Sequence, residues 1–460
     1  MTTQSDIEET MGKRTARHLR DLLTLAWPVM LSRAGILIMA FADIAMLGRF
    51  GEGAVGISNL ALAVFVPVMV LCIGFASGLV PVISQAYGAG QWEECGRAWR
   101  RGVSWSIFVS LLAIIVVLHT EGVLLLPVFE LSAAQAAGGA AVGLALAPGL
   151  VAQVLFATCA FYLEATRRPF IGLYAMILAN LVNLALNWVM IFGNLGWPEQ
   201  GAVGAAIAST IARLAAMAFM FWIIFGQRDP HAAGVRGPWE TAWGPGGWRA
   251  GTAMRKLGFS AGISNGFETI GFAAMMLMAG GLGTMALDAY SISHNLVSTL
   301  FMVGLGLAVA TGVRVGQATG AGDPREAAYA GWTGLLTAFL IMGALGMLVY
   351  SFPMTIAHVY TDDPNLAARV ASLLLFSAFV FMPDSLQVVM GQAVRGLGDA
   401  WVPVAAYIAS FLVLMIPLGW YLTERAGWDE RGLALAITIS CILATVLLCW
   451  RFRVLTKLKA

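Results

Sequence analysis

The chain has 460 residues, of which 59% are hydrophobic and only 11% are charged. Soluble globular domains are about 25% charged, so this composition excludes a soluble globular protein. The net charge of +2 is too small for a nucleic-acid binder, and the five scattered cysteines fit neither a disulfide framework nor a cluster of metal ligands.

Long apolar segments follow one another along the whole chain. Because a membrane-spanning helix needs about 20 apolar residues, these segments predict an all-α, polytopic membrane protein with about 12 transmembrane helices. The predicted spans are residues 22–48, 56–84, 102–120, 134–163, 169–193, 202–225, 257–281, 285–316, 328–353, 365–394, 401–423 and 432–452.

The longest connection, residues 226–256, is rich in Gly, Pro and Arg and lies close to the middle of the chain. It predicts a linker between an N-lobe of six helices (22–225) and a C-lobe of six helices (257–452), with tails at residues 1–21 and 453–460. If the N-terminal tail is placed inside, 21 of the 27 Lys and Arg residues fall on the inner side and four on the outer side. Since cytoplasmic loops carry the excess of basic residues, we expect both termini and the linker to be cytoplasmic.

Two short runs in the first half of the chain recur in the second half at one spacing. Residues 48–51 resemble residues 280–283, and QAYGAG at 85–90 resembles QATGAG at 317–322, in both cases 232 residues later. Six spans in each half is an even number, so both halves enter the membrane from the same face. The sequence therefore predicts two parallel six-helix repeats around a central cleft.

Two carboxyl groups lie deep inside predicted spans of the second half. An ionised side chain at a helix centre costs about 2.5–3.5 kcal/mol to insert, so such groups usually face a cavity or a partner. The rest of the predicted span that contains Glu268 has no basic residue, and Asp384 follows Pro383, which bends a helix. Gln387 shares a helix face with Asp384. We expect Glu268 and Asp384 to bind a cation or a proton; the alternative for each is a purely local, structural hydrogen bond.

The first half of the chain carries one further acid and a row of amides. Asp43 is nearer to the outer end of its predicted span, so a water-facing role competes with ion coupling. Asn180, Asn183 and Asn187 recur at three- and four-residue spacing on one helix face. They could line a cavity or hold two helices together. No metal site is predicted, although Na⁺ could bind at Glu268 and Asp384.

Several strings in both halves resemble the MATE (multidrug and toxic compound extrusion) transporters. Each string is degenerate alone, but their order along the chain is specific to the family. They are LAWP at 25–28, FADIAMLGR at 41–49, FMVGLGL at 301–307, VRVGQ at 313–317, YTDDP at 360–364 and QAVRGLGD at 392–399.

The resemblance to the bacterial NorM-type subfamily implies roles for single residues. Glu268 and Asp384 resemble its cation-binding carboxylates, and Asp43 resembles its first-span acid. Asn183 and Asn187 stand where another MATE subfamily has Asn and Asp, and Tyr290 stands where a His is common. The predicted ion- or proton-coupling residues are Glu268, Asp384 and Asp43, and the predicted substrate-binding residues are Asp43, Asn180, Asn183, Asn187, Tyr290 and Gln387.

The family resemblance implies a monomeric exporter of cationic, amphipathic small molecules in the bacterial inner membrane, driven by Na⁺ or H⁺ entry through alternating access. It implies no enzymatic activity, no cofactor and no nucleic-acid partner, and the only other contact expected is membrane lipid. The chain has no Gly-x-x-x-x-Gly-Lys string, which favours an ion gradient over ATP. Three alternatives remain: a flippase for a lipid-linked precursor, which would need Arg33 and Arg213 for a diphosphate; a membrane-embedded enzyme with a clustered acidic metal site; and a channel.

Overall fold

The computed structural model describes residues 11–51, 53–126, 132–227 and 232–458, and all regular secondary structure in these ranges is helical. Parts of the predicted tails and of the predicted linker, namely residues 1–10, 228–231 and 459–460, lie outside the described residues. The chain divides into two compact units. The N-terminal unit runs from Leu31 to Gly266, and the C-terminal unit combines the chain up to Met30 with the chain from Phe267 onwards.

Two long helices, α1 (Met11–Phe50) and α12 (Thr252–Gly281), each contribute to both units. The helices between them are α2 (Ala54–Ser77), α3 (Leu79–Gly88), α4 (Trp92–Leu118), α5 (Thr120–Leu124), α6 (Ala133–Ala165), α7 (Phe170–Met190), α8 (Gly201–Gly226), α9 (Ala232–Val235), α10 (Glu240–Trp243) and α11 (Pro245–Ala250).

The first half of α12 packs on α2 inside the N-terminal unit through glycines. A Cβ atom added at Gly258 would lie 2.1 Å from the carbonyl oxygen of Phe75, and one added at Gly74 would lie 2.6 Å from the Cα of Gly262. Small residues let helix backbones approach this closely. The contact fixes α12 just before the turn that carries Glu268.

The described part of the predicted linker is packed rather than extended. The guanidinium of Arg100 on α4 donates to the carbonyl oxygen of Pro238. The ring of Trp99, fully buried on the same helix, lies 6.0 Å from the ring of Trp239. The segment that carries α9 to α11 therefore belongs to the N-terminal unit.

The C-terminal unit contains the second half of α12 and the helices that follow it. Its long span at 401–425 alternates between α-helix and wider π-helix. The elements are α13 (Thr284–Gly320), α14 (Pro324–Ser351), α15 (Pro353–Tyr360), α16 (Pro364–Ser377), α17 (Phe381–Gly396), α18 (Trp401–Tyr407), a π-helix (Ile408–Met415), α19 (Ile416–Trp420), a second π-helix (Tyr421–Arg425) and α20 (Asp429–Leu458).

The beginning of α1 belongs to the C-terminal unit because its side chains are buried there. Leu22 and Ala26 are fully buried in a cluster with residues of α13 and α17. The Arg314 guanidinium donates to the carbonyl oxygen of His18 at 2.8 Å, and Nε2 of His18 lies 3.3 Å from a carboxylate oxygen of Glu326. This first part of α1 is thus held by α13 and α14.

The predicted spans all coincide with helical segments. Ten described helical segments are long and apolar enough to cross a membrane, and the bent pair α16–α17 makes an eleventh. The remaining predicted span is α12, which has 30 residues but carries polar side chains in its middle, such as Asn265 and Glu268. Large apolar side chains such as Phe41 and Leu277 remain exposed, as expected where helices face lipid.

Candidate functional site

In the C-terminal unit, the side chain of Gln387 joins Glu268 to Asp384. Its amide nitrogen Nε2 donates to Glu268 Oε1 at 2.9 Å and lies 3.5 Å from Asp384 Oδ1. These two carboxylate oxygens are therefore no more than about 6.4 Å apart. Asp384 and Gln387 are buried, whereas Glu268 is half-buried. The structure thus brings together three of the residues that the sequence predicted, from helices more than 100 positions apart.

A bend in the tenth predicted span places Asp384. The axes of α16 and α17 meet at 44° across the break at residues 378–380. Pro383 has no N–H, so the carbonyl of Phe379, four residues earlier, loses its helical partner, which explains the position of the break. Thr445 of α20 donates its hydroxyl to the Pro383 carbonyl at 3.2 Å, and the Cys441 thiol lies 3.7 Å from Asp384 Oδ1.

The helix that carries Glu268 packs against the first π-helix. A Cβ at Gly271 would lie 2.5 Å from Cε of Met415 and 3.3 Å from the carbonyl oxygen of Phe411. Pro417, just beyond the π-helix, offers no N–H to continue an ordinary α pattern, which accounts for the wider winding before it. π-helical segments in helices are frequent at functional sites, and no sequence pattern indicated this one.

A buried arginine lies on the same face of α17 as the two polar residues of the site. Asp384, Gln387, Gly391 and Arg395 follow one another at three- and four-residue spacing. Arg395 is 4% exposed, and its charge interacts with the Glu268 carboxylate. The Arg395 Cζ lies 6.0 Å from the centre of the Tyr407 ring, whose hydroxyl lies 3.4 Å from the Cβ position of Gly391. The sequence predicted that Glu268 has no basic neighbour, because its own span contains none. This prediction is wrong, since the fold brings Arg395 near it on α17, a helix from a distant part of the chain.

In the N-terminal unit, Asp43 accepts three hydrogen bonds. Asn183 and Asn187 of α7 donate to Asp43 Oδ1 at 3.0 and 2.6 Å, and Ser209 of α8 donates to Oδ2 at 2.6 Å. Asn183 and Asn187 are fully buried. From the sequence, these amides were expected to line a cavity or to hold two helices together. In the structure they donate hydrogen bonds to a carboxylate, which neither expectation included. Ser209 was missed because a single Ser in an apolar span carries no signal.

The two arginines inside predicted spans have different surroundings. Arg33 forms a buried ion pair with Glu164 of α6, with 3.1 Å between Nη2 and Oε1. Arg213 of α8 interacts electrostatically with Asp43 and lies over the ring of Phe65 at 5.1 Å. Arg33 is therefore already paired within the unit.

Among the described residues, neither Asn180 nor Tyr290 forms a hydrogen bond with Asp43, Glu268 or Asp384. The amide of Asn180 donates to the carbonyl oxygens of Gly35 at 3.1 Å and of Met176 at 2.9 Å, and so ties α7 to α1. The Tyr290 ring stacks on His294 with 6.1 Å between ring centres, and its hydroxyl has no hydrogen-bond partner among the described residues. Over the described parts of the chain, no three His, Cys, Asp or Glu side chains come together as a metal site.

Comparison with known proteins settles the family. The MatE family model matches residues 28–189 and again residues 261–421, once in each half of the chain. The chain belongs to the MatE family. The double match agrees with the internal repeat, and the resemblance to NorM-type MATE proteins inferred from short strings is confirmed.

Curated MatE relatives resemble the chain over almost its full length. A probable multidrug resistance protein NorM from Caulobacter vibrioides is 34% identical over 441 residues, which is 95% of this chain and 92% of the relative. A probable multidrug resistance protein NorM from Bradyrhizobium diazoefficiens is 30% identical over 457 residues, covering 96% of this chain and 95% of the relative.

Solved MATE structures share the fold. The eukaryotic MATE transporter AtDTX14 superposes with a TM-score of 0.86 over 97% of this chain and 100% of its own, at 18% identity. An outward-facing multidrug resistance MATE family transporter of the MOP superfamily also gives 0.86 at 18% identity, over 98% and 99% of the two chains. The predicted all-α, two-lobed membrane fold is thereby confirmed.

Proposed function

We propose that this MatE protein is a secondary active multidrug exporter that moves organic cations out of the cell in exchange for Na⁺ or H⁺. One observation carries the proposal: two carboxyl groups, Glu268 and Asp384, share a single amide donor, Gln387, inside a membrane-spanning unit. The names of the bacterial relatives, multidrug resistance proteins, support the substrate class.

The carboxylate pair has too few donors for two negative charges. If both groups were ionised, oxygens at most about 6.4 Å apart would repel by about 2.6 kcal/mol or more at an effective dielectric constant near 20. The Gln387 amide and the weakly donating Cys441 thiol are their hydrogen-bond donors among the described residues. A proton or a Na⁺ ion at the pair would offset this repulsion. The buried oxygen of Gln387, which has no partner in the described chain, is a further oxygen ligand for Na⁺.

Aromatic rings beside Glu268 suit flat cationic substrates. Phe272 is one turn beyond Glu268 on α12, and its ring lies 6.2 Å from Phe411 and 5.6 Å from His294. Phe411 in turn lies 5.4 Å from the ring of Tyr407. Phe272 is half-buried, whereas Phe411 and Tyr407 are fully buried. Aromatic faces attract cations, so a drug at the Phe272 ring would bring its positive charge to the half-buried Glu268 carboxylate and compete with Na⁺ or H⁺ there.

Competition at one site couples export to ion entry. A ligand shifts an equilibrium between two access states only by its difference in affinity for them. If Na⁺ or H⁺ and the drug favour opposite states, each ion that enters resets the site for the next drug. The parallel repeats support alternating access through a rocking motion of the two lobes.

We further propose that the protein works as a monomer in the bacterial inner membrane, with both termini cytoplasmic. The bacterial origin of the relatives and the excess of Lys and Arg on one predicted side support this placement.

The contacts of the intramembrane arginines weaken the flippase alternative. Binding a diphosphate group would need basic groups free to approach it. Arg33, one of the two basic groups that the flippase alternative needs, is already held by Glu164 at 3.1 Å. Export of cations therefore accounts better for the charges in the spans.

The decisive experiment is ethidium export from proteoliposomes with a Na⁺ gradient or a pH gradient imposed separately. We expect one gradient to drive export in the wild-type protein and Glu268→Gln to abolish it. Asp363→Asn is the matched control, because Asp363 caps α16 by accepting from the Asn365 amide at 2.9 Å and Asn caps helices equally well. Failure of both gradients to drive export, or full export by Glu268→Gln, would refute the proposal.

A further inference from the structure

A cluster of aromatic rings in the N-terminal unit begins inside a predicted span and continues onto the linker. Trp105 of α4 lies in the predicted span 102–120. The centre of its ring lies 5.6 Å from those of Phe108 and Phe259, and 6.0 Å from that of Trp248 on α11. Because Trp105 is only about one helical turn from the end of its span, Trp248 lies near the boundary of the membrane.

The outer rings of this cluster are exposed. The exposed fraction is 52% for Trp248, 41% for Phe259 and 51% for Phe108. Leu111 and Leu112, farther along α4, are also exposed, so the apolar surface continues along the span. Trp residues are enriched where the membrane meets water, with their rings at the level of the lipid headgroups. The exposed indole of Trp248 therefore fits the headgroup region.

Basic residues without acidic neighbours in the sequence flank this cluster. The chain between Glu240 and Glu268 contains Arg249, Arg255 and Lys256 but no Asp or Glu. Arg249 and Lys256 are exposed. None of the three basic side chains forms an ion pair within the described ranges. Their positive charge is thus available to an anion from outside the protein.

The fold holds one of these basic groups over the aromatic surface. The Cζ atom of Arg255 lies 3.8 Å from the centre of the Trp248 ring. Its Nη2 donates to the carbonyl oxygen of Trp248 at 2.6 Å and to the Thr252 hydroxyl at 3.3 Å. The donors at Nε and Nη1 have no hydrogen-bond partner in the described chain. A guanidinium fixed in this way can donate to a phosphate with little further ordering of its side chain.

We propose that Trp248, Arg249, Arg255 and Lys256 form a binding site for an anionic phospholipid of the membrane leaflet that adjoins the linker. The three basic side chains bind the phosphate of the headgroup, and the exposed rings and the leucines of α4 contact the acyl chains. A soluble phosphate could bind the same basic groups, but it would leave the adjoining apolar surface uncovered. The inference does not depend on the ion or the drug of the proposed exporter.

The bound lipid joins the linker to the helix that carries Glu268. Arg249 belongs to α11, whereas Arg255 and Lys256 belong to the first two turns of α12. A ligand that binds only the folded protein raises its stability as the ligand concentration rises. We therefore expect an anionic phospholipid to raise the Tm of the protein.

The test is thermal unfolding of the delipidated protein in detergent, titrated with dioleoylphosphatidylglycerol or dioleoylphosphatidylcholine. Each basic residue near an anionic lipid surface changes the affinity about fivefold. Arg249→Gln/Lys256→Gln should therefore need about 25-fold more phosphatidylglycerol for half of the wild-type rise in Tm. Both side chains are exposed, so the Tm without lipid should stay unchanged. The matched control Arg453→Gln/Lys457→Gln, which removes two exposed basic side chains of α20, should respond to phosphatidylglycerol as the wild-type protein does.

A conservative variant tests the geometry of the site. Arg255→Lys keeps the charge but loses the planar group over Trp248 and should need about fivefold more phosphatidylglycerol; a wild-type response would overturn the role of the stacked guanidinium. An equal rise in Tm with phosphatidylcholine, or with sodium phosphate at the same concentration, would overturn the assignment of an anionic lipid. The assignment would also fail if phosphatidylglycerol left the wild-type Tm unchanged, or if the Arg249→Gln/Lys256→Gln variant and the control responded alike.

Discussion

Replacing Glu268 by Gln and Asp384 by Asn, singly and together, tests whether the two carboxyl groups act as one unit. The geometry sets the size of the expected effect. Two charges at most about 6.4 Å apart repel by about 2.6 kcal/mol at an effective dielectric constant near 20. A bound cation relieves this repulsion, and the relief contributes to the free energy of cation binding. Replacing either carboxylate by an amide removes that contribution. At about 1.36 kcal/mol per factor of ten, each single variant should bind the coupling cation about 80-fold more weakly.

The same substitutions should leave the fold intact. Glu268→Gln turns the 2.9 Å hydrogen bond from Gln387 from charge-assisted to neutral, which costs about 1 kcal/mol. Relief of the repulsion offsets that loss, so the free energy of unfolding should be unchanged or slightly higher. Two independent sites would lose affinity by the product of the single effects, several thousandfold, whereas one shared site should lose little more than either single variant.

The assay is gradient-driven ethidium export at several driving-ion concentrations, with detergent-solubilised Tm measured on the same three variants. Full export by either single variant, or multiplicative losses in the double variant, would contradict a shared coupling site. A collapse of Tm in the single variants would show that the pair has a structural role instead.

Three further changes test other parts of the structure. Glu164→Gln should lower Tm by about 5 °C because it leaves the buried Arg33 without its partner at 3.1 Å; an unchanged melting curve would contradict this. Gly258→Ala should destabilise the protein by about 1–3 kcal/mol, since its Cβ would lie 2.1 Å from a carbonyl oxygen of α2, whereas the control Gly343→Ala meets nothing within 4 Å and should leave Tm unchanged. A cysteine in place of Glu240, in the predicted cytoplasmic linker, should resist membrane-impermeant reagents added to intact cells, and labelling from outside would reverse the predicted orientation.

The features that could be predicted from the amino-acid sequence depend on interactions within one short segment of the chain. Most spans can be recognised within their own 20 or so residues because the membrane requires a continuous apolar helix. The bend before Asp384 was predictable for the same reason, since Pro383 removes a hydrogen bond within its own helix. Gln387 could be assigned to the face of Asp384 from helical spacing alone, and the distance of 3.5 Å between them agrees.

The partners of the buried charges depended on contacts between distant segments. Glu268 acquires Gln387 and the neighbouring charge of Arg395 from α17, and Asp43 acquires its donors from α7 and α8. Helical spacing predicts which residues share a face but not which helix that face meets. The sequence by itself therefore determined the helical membrane fold, its repeat and the candidate acids. Only the tertiary structure decided which of those acids is compensated, because electrostatic energy in a membrane interior depends on separations of a few ångströms between helices that are far apart in the chain.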